Sequence, residues 1–255
     1  MTTPLFSVVT VTLNCAEAAV ATAQTVLAQT YPHIEYIVKD GGSTDGTPER
    51  LRELGVSNVH VSADNGIYSA MNQALAQCSG EYVYFLNAGD TFASPTVLAE
   101  LAERIDRNAA IVYAELLLQP MQRRTRHPST LSRYYLFRKN MNHQAWMARR
   151  EVYHRLGGLN EAYRFCADQE LIWQARFRHN LRFQHVDLTL AEFVYGGAST
   201  TAQNRARVDR ERWRLLFEFF HPVEIVLYGL TSLYFLNPLK VRLRRVQLAQ
   251  QGIKF

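Results

Sequence analysis

Short apolar runs alternate with amphipathic stretches through the first half of the chain. The runs are rich in β-branched and aromatic residues and lie at about residues 6–13, 34–39, 58–62 and 81–86. Apolar residues recur at helical spacing in the intervening stretches, at about residues 16–29, 47–54, 66–77 and 95–106. This alternation predicts an α/β fold, a mostly parallel central sheet with helices on both faces.

The alternation weakens in the second half. A strand near 110–118 precedes a basic loop with a proline. The last helix before the C-terminal region ends at about residue 179. Residues 205–255 show helical patterns alone, which predicts a C-terminal helical appendage.

These patterns divide the chain into one large domain and the appendage. We predict the domain over residues 1–204, with halves at 1–118 and 119–204, and the helical segment over 205–255.

Carboxylates follow the apolar runs where turn-forming residues begin. Asp40 closes the second run and opens a glycine-rich turn that contains Asp45, and Asp90 follows the fourth run. Ligands bind at the carboxyl ends of the strands in open α/β sheets, so these three acids should converge on one crevice. Clustered carboxylates repel one another, which favours a cation or sugar hydroxyls between them.

The net charge of +5 conceals two halves of opposite sign. Residues 1–120 carry 5 Lys/Arg and 13 Asp/Glu, a net of −8, whereas residues 121–255 carry 23 and 10, a net of +13. The acidic half suits metal and sugar binding, and the basic half suits phosphate or an anionic membrane surface. No nucleic-acid recognition motif is present, so nucleic acid is not expected as a partner.

The three cysteines, Cys15, Cys78 and Cys166, are widely spaced and form no CxxC pair. Neither a disulfide framework nor a zinc site is indicated, which favours a reducing cytoplasm. The N-terminus lacks a basic region followed by a long apolar stretch, so no signal peptide is expected.

Several motifs together resemble the family 2 glycosyltransferases with the GT-A fold. They are the strand from Val8 to Asn14, Gln29-Thr30-Tyr31-Pro32, Asp40 to Thr47, Asp64 to Asn72, Phe85 to Asp90, Gly157 to Glu161, and Ala167 to Leu171. The resemblance covers about residues 5–200. Gly-Ile-Tyr and Asn-Ala-Gly-Asp within it resemble the bacterial exopolysaccharide and colanic-acid type of member.

The resemblance implies a site for a nucleotide sugar, UDP- or GDP-linked, at the ends of the first strands. The residues that it places there are Thr12, Asn14, Asp40, Asp45, Asp64 and Asn87. Asp40 is expected to contact the nucleotide base. For Asp64, the alternative is an acid that stabilises a helix N-terminus through the helix dipole.

The resemblance also implies a divalent metal, Mn²⁺ or Mg²⁺, at Asp90. The family usually has an Asp-x-Asp or Asp-Asp pair here, whereas this chain has Asn87-Ala88-Gly89-Asp90. One carboxylate can still hold Mg²⁺ together with diphosphate oxygens and water.

Asp168 matches the family's general base, with Ala167 in place of the usual glutamate before it. The alternative for Asp168 is a helix N-cap. Glu170 lies two residues further on, so the two acids should not both face the reacting atoms of a helix-borne site.

Basic and polar residues are expected on the acceptor or diphosphate side. The resemblance implies that His143 and Gln144 border the acceptor and that Ser199-Thr200 lies in a segment that folds over the donor, and Arg205 and Arg207 follow that segment. A lone histidine in an apolar run such as that of His143 is alternatively a core residue, and the arginines are alternatively a solvated helix face.

The C-terminal appendage combines aromatic, apolar and basic residues. An aromatic stretch at 213–220 and an apolar stretch at 225–236 precede Lys240, Arg242, Arg244 and Arg245. The apolar stretch is too short to span a bilayer, so we predict in-plane attachment to an anionic membrane. A helix packed on the domain, or a subunit interface, is the alternative.

The sequence thus predicts an inverting, metal-assisted glycosyltransferase that acts on a glycan or lipid-linked acceptor in surface polysaccharide biosynthesis, in the cytoplasm on the inner membrane face. A sugar nucleotidyltransferase is one alternative, although Asn14 to Ala19 lacks the glycine and basic residues typical of its first loop. A non-catalytic partner protein that binds nucleotide sugars is the other.

Overall fold

The computed structural model describes residues 5–194, 201 and 203–235, which belong to two compact units. The first unit contains residues 5–131 and 141–194, and the second contains residues 132–140, 201 and 203–235.

The first unit contains all the strands of the described residues. They are Phe6–Thr12 (β1), Ile34–Asp40 (β2), Val59–Val61 (β3), Tyr82–Phe85 (β4), Thr91–Phe92 (β5), Ile111–Gln119 (β6), Arg123–Arg124 (β7), Trp146–Arg149 (β8) and Phe183–Val194 (β9).

Helices occur in both units. They are Ala16–Leu27 (α1), Thr47–Glu53 (α2), Ile67–Leu75 (α3), Val97–Arg104 (α4), Arg133–Arg138 (α5), Arg150–Leu156 (α6), Ala167–Trp173 (α7), Arg205–Phe219 (α8) and Pro222–Phe235 (α9). A 3₁₀ turn at His143–Ala145 precedes β8, and a π-helical turn at Gln174–Arg178 follows α7.

The strands form one nine-stranded sheet in the order β3-β2-β1-β4-β8-β6-β9-β5, with β7 beside β6. The pairs from β3 to β4 are parallel, as predicted, and β6 pairs with β9 in parallel as well. Strand β8 is antiparallel to both β4 and β6, so the sheet is mixed in its second half. The predicted α/β fold class is confirmed.

Strand β1 lies at the centre of the parallel part, and all seven of its residues are buried. A strand that is buried on both faces reads as a continuous apolar run, which is why the sequence marks it clearly. In the register of the sheet, Thr12 lies opposite Asp40. The carboxyl ends of β1, β2 and β4 therefore meet at one edge, where the predicted acids follow.

The second unit packs α5 against α9. The guanidinium of Arg133 donates two hydrogen bonds of 2.9 Å to the carboxylate of Glu224, a bidentate ion pair. The ring of Phe137 packs edge-on against Phe220 and Tyr228.

Within residues 5–194, 201 and 203–235, no helix has both the length and the apolar character needed to cross a membrane. The predicted basic cluster Lys240, Arg242, Arg244 and Arg245 lies outside the described residues.

Candidate active site

Asp40 ends β2 with its carboxylate buried and fully hydrogen-bonded. Its Oδ1 accepts from the backbone N–H groups of Gly42 and Ser43, at 2.9 and 2.7 Å. Its Oδ2 accepts from the hydroxyls of Thr12 and Ser43, at 2.7 and 2.6 Å. Burial alone would raise the pKa of Asp40, but these donors outweigh burial and hold the pKa below its ordinary value. Asp40 is therefore a charged anchor of the glycine-rich turn.

Asp45 and Asn14 join the loop after β1 to the loop after β2. The carboxylate of Asp45 accepts hydrogen bonds from the backbone N–H of Ala16, at 3.0 Å, and of Thr47, at 3.1 Å. Asn14 has a positive φ of 49°, and its Oδ1 accepts from the backbone N–H of Thr44 at 2.9 Å. Both predicted nucleotide-site residues thus hold the two loops in a fixed relation.

Asp64 forms a buried ion pair that the sequence analysis missed. Lys39 Nζ lies 3.2 Å from Asp64 Oδ2, and the two side chains are 2% and 9% exposed. Lys39 Nζ also donates to the backbone carbonyls of Asp40 and Ser62. A charged lysine inside a strand that is otherwise buried was the available signal, because such a charge requires a partner.

Asp64 also lies close to the backbone at two glycines, Gly66 and Gly41. Its other oxygen, Oδ1, accepts from the N–H of Gly66 at 2.9 Å, just before α3. A Cβ at position 41 would lie 2.7 Å from Asp64 Oδ2, so a larger residue there would displace the Asp64 carboxylate. The hydrogen bond to Gly66 therefore fits the alternative role of Asp64, an acid at the start of a helix, and the ion pair with Lys39 is a separate contact.

Asp90 lies beyond β4 in a buried, largely neutral environment. Its Oδ2 accepts from Gln144 Nε2 at 2.6 Å, and its Oδ1 accepts from the N–H of Val194 at 3.1 Å. Burial raises the pKa of Asp90, although these hydrogen bonds and nearby His143 act in the opposite direction. The two hydrogen-bond donors to the Asp90 carboxylate are therefore neutral, and a divalent cation would supply the missing positive charge.

The residues around Asp90 fit a divalent metal held by few protein ligands. Across the described ranges, no cluster of three or more His, Cys, Asp or Glu side chains forms a complete metal cage. Asn87 Oδ1 is buried there without a hydrogen-bond partner. A carboxylate and an amide oxygen are ligands that Mg²⁺ accepts when phosphate oxygens and water complete its shell.

Asp168 lies in the first turn of α7, and its side chain is 7% exposed. Cys166, not Asp168, occupies the N-cap position, so the alternative interpretation of Asp168 as a cap is wrong. Its Oδ1 accepts from the hydroxyl of Tyr68 at 3.1 Å and from the N–H of Gln169 at 2.8 Å. His143 Nδ1 lies 3.6 Å from Oδ2, too far for a hydrogen bond.

His143 and Gln144 connect the two acids of the site. Gln144 donates to Asp90, while His143 Nδ1 lies 3.6 Å from Asp168 Oδ2. The charge of His143 offsets only part of the rise that burial causes in the pKa of Asp90. The hydroxyl of Tyr84 holds this turn by donating to the backbone carbonyl of Gln144 at 2.8 Å. The ring of His143 is largely buried and lies beside the Asp168 carboxylate, and its functional role stays a prediction.

Glu170 accepts hydrogen bonds from residues other than Asp168. Its Oε1 accepts from Asn160 Nδ2 at 3.1 Å and from Gln174 Nε2 at 3.0 Å. Glu170 thereby ties α7 to the Gly157-to-Glu161 motif, as expected if only Asp168 of the two acids serves as a base.

The remaining predicted residues lie elsewhere. Arg205 and Arg207 belong to the first turns of α8, in the second unit, and are exposed. Ser199-Thr200 lies outside the described residues. The structure adds two residues to which the sequence analysis gave no role, Lys39 and Tyr68. For Tyr68, the signal was its place in Gly66-Ile67-Tyr68 at the start of a helix.

A comparison with known families identifies the family of this chain. The family model described as glycosyl transferase family 2 matches residues 7–167, which include Asp40, Asp90 and the residue before Asp168. The chain belongs to glycosyl transferase family 2. The predicted enzyme class, a glycosyltransferase, is thereby confirmed.

Two mycobacterial relatives extend the match beyond those motifs. A PGL/p-HBAD biosynthesis glycosyltransferase of Mycobacterium bovis is 28% identical over 219 residues, 82% of this chain and 85% of that protein. An uncharacterized glycosyltransferase of Mycobacterium tuberculosis is 32% identical over 182 residues, 68% of this chain and 69% of that protein.

Solved structures share the GT-A fold of this family 2 glycosyltransferase. One is the mannosyltransferase PcManGT from Pyrobaculum calidifontis, in complex with GDP-Man and Mn²⁺. Its TM-score is 0.69 at 19% identity, and the match covers 100% of this chain and 77% of the PcManGT chain. TarS of S. aureus, in complex with UDP-GlcNAc, has a TM-score of 0.66 at 18% identity, with coverage of 85% and 68%.

Proposed function

We propose that this family 2 glycosyltransferase is an inverting enzyme. It moves a sugar from a UDP- or GDP-linked donor to a hydroxyl of a glycan or lipid-linked acceptor. The observation that carries the proposal is the carboxylate of Asp168. It is buried, held on one oxygen, and linked to Asp90 through His143 and Gln144.

In the proposed reaction, Asp168 takes the proton of the acceptor hydroxyl. The acceptor oxygen forms the new bond to the anomeric carbon while the bond from that carbon to the diphosphate oxygen breaks. The electron pair of the broken bond leaves with the nucleoside diphosphate. A single displacement of this kind inverts the anomeric configuration and needs one positioned base.

The donor side of the proposed site lies at the shared edge of β1, β2 and β4. Thr12, Asn14, Asp40, Asp45 and Asp64 shape the loops where the nucleoside binds. Asp90 and Asn87 would hold a Mn²⁺ or Mg²⁺ ion, which neutralises the negative charge of the diphosphate. The solved GT-A structure with GDP-Man and Mn²⁺ supports this assignment by its fold. Arg205 and Arg207 are proposed as further diphosphate contacts.

The acceptor and the location are the remaining parts of the proposal. We propose residues 1–204 as the transferase domain, residues 205–255 as a peripheral attachment to an anionic membrane, and the cytoplasmic membrane face as the place of action. Exposed apolar residues of α8 and α9 support this attachment. The exopolysaccharide type of pathway rests on the Gly-Ile-Tyr and Asn-Ala-Gly-Asp motifs.

The donor class is tested by a thermal-shift screen of nucleotide sugars with Mn²⁺ present. Nucleotide release in the presence of candidate acceptors then separates an enzyme from a binding protein. The anomeric configuration of the product, read by NMR, tests inversion, and a retained configuration would remove Asp168 from the role of base in a single displacement.

Asp168→Asn keeps the size of the side chain and removes the basic carboxylate. Turnover should fall by roughly 10²–10⁴-fold, the usual value of a positioned base, with donor binding nearly intact. Wild-type turnover in this variant would contradict the assignment of Asp168.

A further inference from the structure

The two oxygens of Asp168 have different surroundings. Oδ1 accepts two hydrogen bonds, from the Tyr68 hydroxyl at 3.1 Å and from the Gln169 N–H at 2.8 Å. Within the described part of the chain, no hydrogen bond reaches Oδ2, and His143 Nδ1 is 3.6 Å away from it. The carboxylate is therefore fixed on one oxygen and open on the other.

Tyr68 can act only as a donor in this contact. Its phenol is buried at the second position of α3. Burial, and then the negative charge of Asp168, raise the pKa of Tyr68 well above its ordinary value. The hydroxyl thus keeps its proton and remains the donor to Asp168 Oδ1.

We propose that Tyr68 is a positioning residue that directs Asp168 Oδ2 to the acceptor hydroxyl. The inference rests on the proposed function, in which Asp168 is the base. As the acceptor O–H bond breaks, the proton moves to Oδ2, and the electron pair of that bond forms the new bond to the anomeric carbon. The diphosphate leaves with the pair of the bond that it loses.

Tyr68 lies at the start of α3, which is also attached to β2 through Asp64. Asp64, two residues before Gly66, is bound to Lys39 and accepts from the N–H of Gly66. The start of α3 is thus attached to the strand that ends at Asp40, and Tyr68 extends from the same turn to Asp168. A single helix start therefore positions the base relative to the nucleotide-side loops.

The first test compares Tyr68→Phe with Tyr82→Phe. Tyr68→Phe removes one hydroxyl and should lower kcat by roughly 10- to 100-fold, the value of a hydrogen bond to a charged group, with little change in the affinity for the nucleotide donor. Tyr82 is an equally buried tyrosine whose hydroxyl donates to the backbone carbonyl of Ala109 at 3.0 Å, so Tyr82→Phe is a matched control that should keep kcat near the wild-type value.

A double-mutant cycle then separates positioning from a general structural effect. If Tyr68 acts through Asp168, adding Tyr68→Phe to Asp168→Asn should cause no further loss of turnover. Losses that multiply would overturn the inference, because Tyr68 would then act independently of the base. Wild-type kcat in Tyr68→Phe beside a slow Asp168→Asn would overturn it too, while leaving the base in place.

Wild-type turnover in Asp168→Asn is a different outcome, since it removes the base assignment and the inference together. If Tyr68→Phe does not fold, a ring-fluorinated tyrosine at position 68 serves instead, because it keeps the hydroxyl and strengthens it as a donor. A changed kcat with unchanged donor affinity is expected for that variant, and an unchanged kcat would contradict the inference.

Discussion

Gln144 donates a hydrogen bond of 2.6 Å from its side-chain amide to Asp90 Oδ2. The residue before it, His143, faces Asp168 across 3.6 Å. Two consecutive residues of one 3₁₀ turn thus contact the proposed metal ligand and the proposed base. The hydroxyl of Tyr84 holds this turn by donating to the backbone carbonyl of Gln144.

Replacing Gln144 with Met preserves much of the side-chain volume and removes the donor to Asp90. We expect weaker binding of the nucleoside diphosphate in the presence of Mn²⁺ and unchanged binding in its absence. Isothermal titration under both conditions measures the difference. Gln184→Met, at a residue that donates to the carbonyl of Arg104, is the control for the loss of a glutamine elsewhere. An equal loss of affinity with and without Mn²⁺ would contradict the proposed role.

Asp90→Ala should abolish binding of the nucleoside diphosphate that depends on a divalent cation. Asn87→Asp restores the acid pair that is common in the family and should tighten Mn²⁺ binding. Equilibrium binding across a Mn²⁺ titration measures both effects. Wild-type activity that persists unchanged in EDTA would show that arginines, not a metal, neutralise the leaving group.

Lys39→Met should lower the free energy of unfolding by roughly 3–5 kcal/mol, because it leaves Asp64 as a buried charge without its partner. Denaturant unfolding followed by circular dichroism measures the change. The double variant Lys39→Met with Asp64→Leu should recover much of the loss. Arg50→Met serves as control, since the Arg50–Glu17 pair is exposed to solvent and its loss should change stability little.

Protonation of Asp40 in acid should make the protein less stable. The pKa of Asp40 in the folded state lies below its ordinary value of 3.8, so its contribution to stability is complete above that value. The contribution is lost as the pH falls from the ordinary value through the lower folded-state pKa. Unfolding midpoints of the wild type should therefore fall more steeply below about pH 4 than those of Asp40→Asn. Parallel curves for the two proteins would argue against a depressed pKa.

The second unit exposes apolar side chains that suit the surface of a membrane. Trp213 and Phe217 stack on α8, and further exposed apolar residues on α9 are Val223, Val226, Leu227 and Leu230. The wild type should therefore float with anionic vesicles.

The basic cluster that follows α9 in the sequence should strengthen this attachment. The variant that tests it carries Gln in place of Lys240, Arg242, Arg244 and Arg245. It should bind anionic vesicles more than tenfold more weakly than the wild type, at about 1 kcal/mol per basic residue. Binding of the soluble donor should not change.

Val226→Ser with Leu230→Ser tests the apolar part of the same surface and should also weaken flotation. If the wild type does not float, and truncation after Arg212 changes its oligomeric state in solution, the segment is a subunit interface.

The sequence by itself determined the strands of the parallel half of the sheet and the acids that follow them. Strand β1 reads as an apolar run because both of its faces are buried, and β2 and β4 end close to the predicted residues. Since parallel neighbours end at one edge, Asp40 and Asp90 were placed on the same side of the sheet without a structure.

Only the tertiary structure decided which side chains those acids contact. Gln144 and Asp90 are 54 residues apart in the chain, and Tyr68 and Asp168 are 100 residues apart. Periodicity is a local property and carries no information on such pairs. A hydrogen bond requires two polar atoms within about 3 Å, and that distance is set by how whole helices and strands pack. The packing gives Asp40 four donors, gives Asp64 a lysine, and leaves one oxygen of Asp168 open.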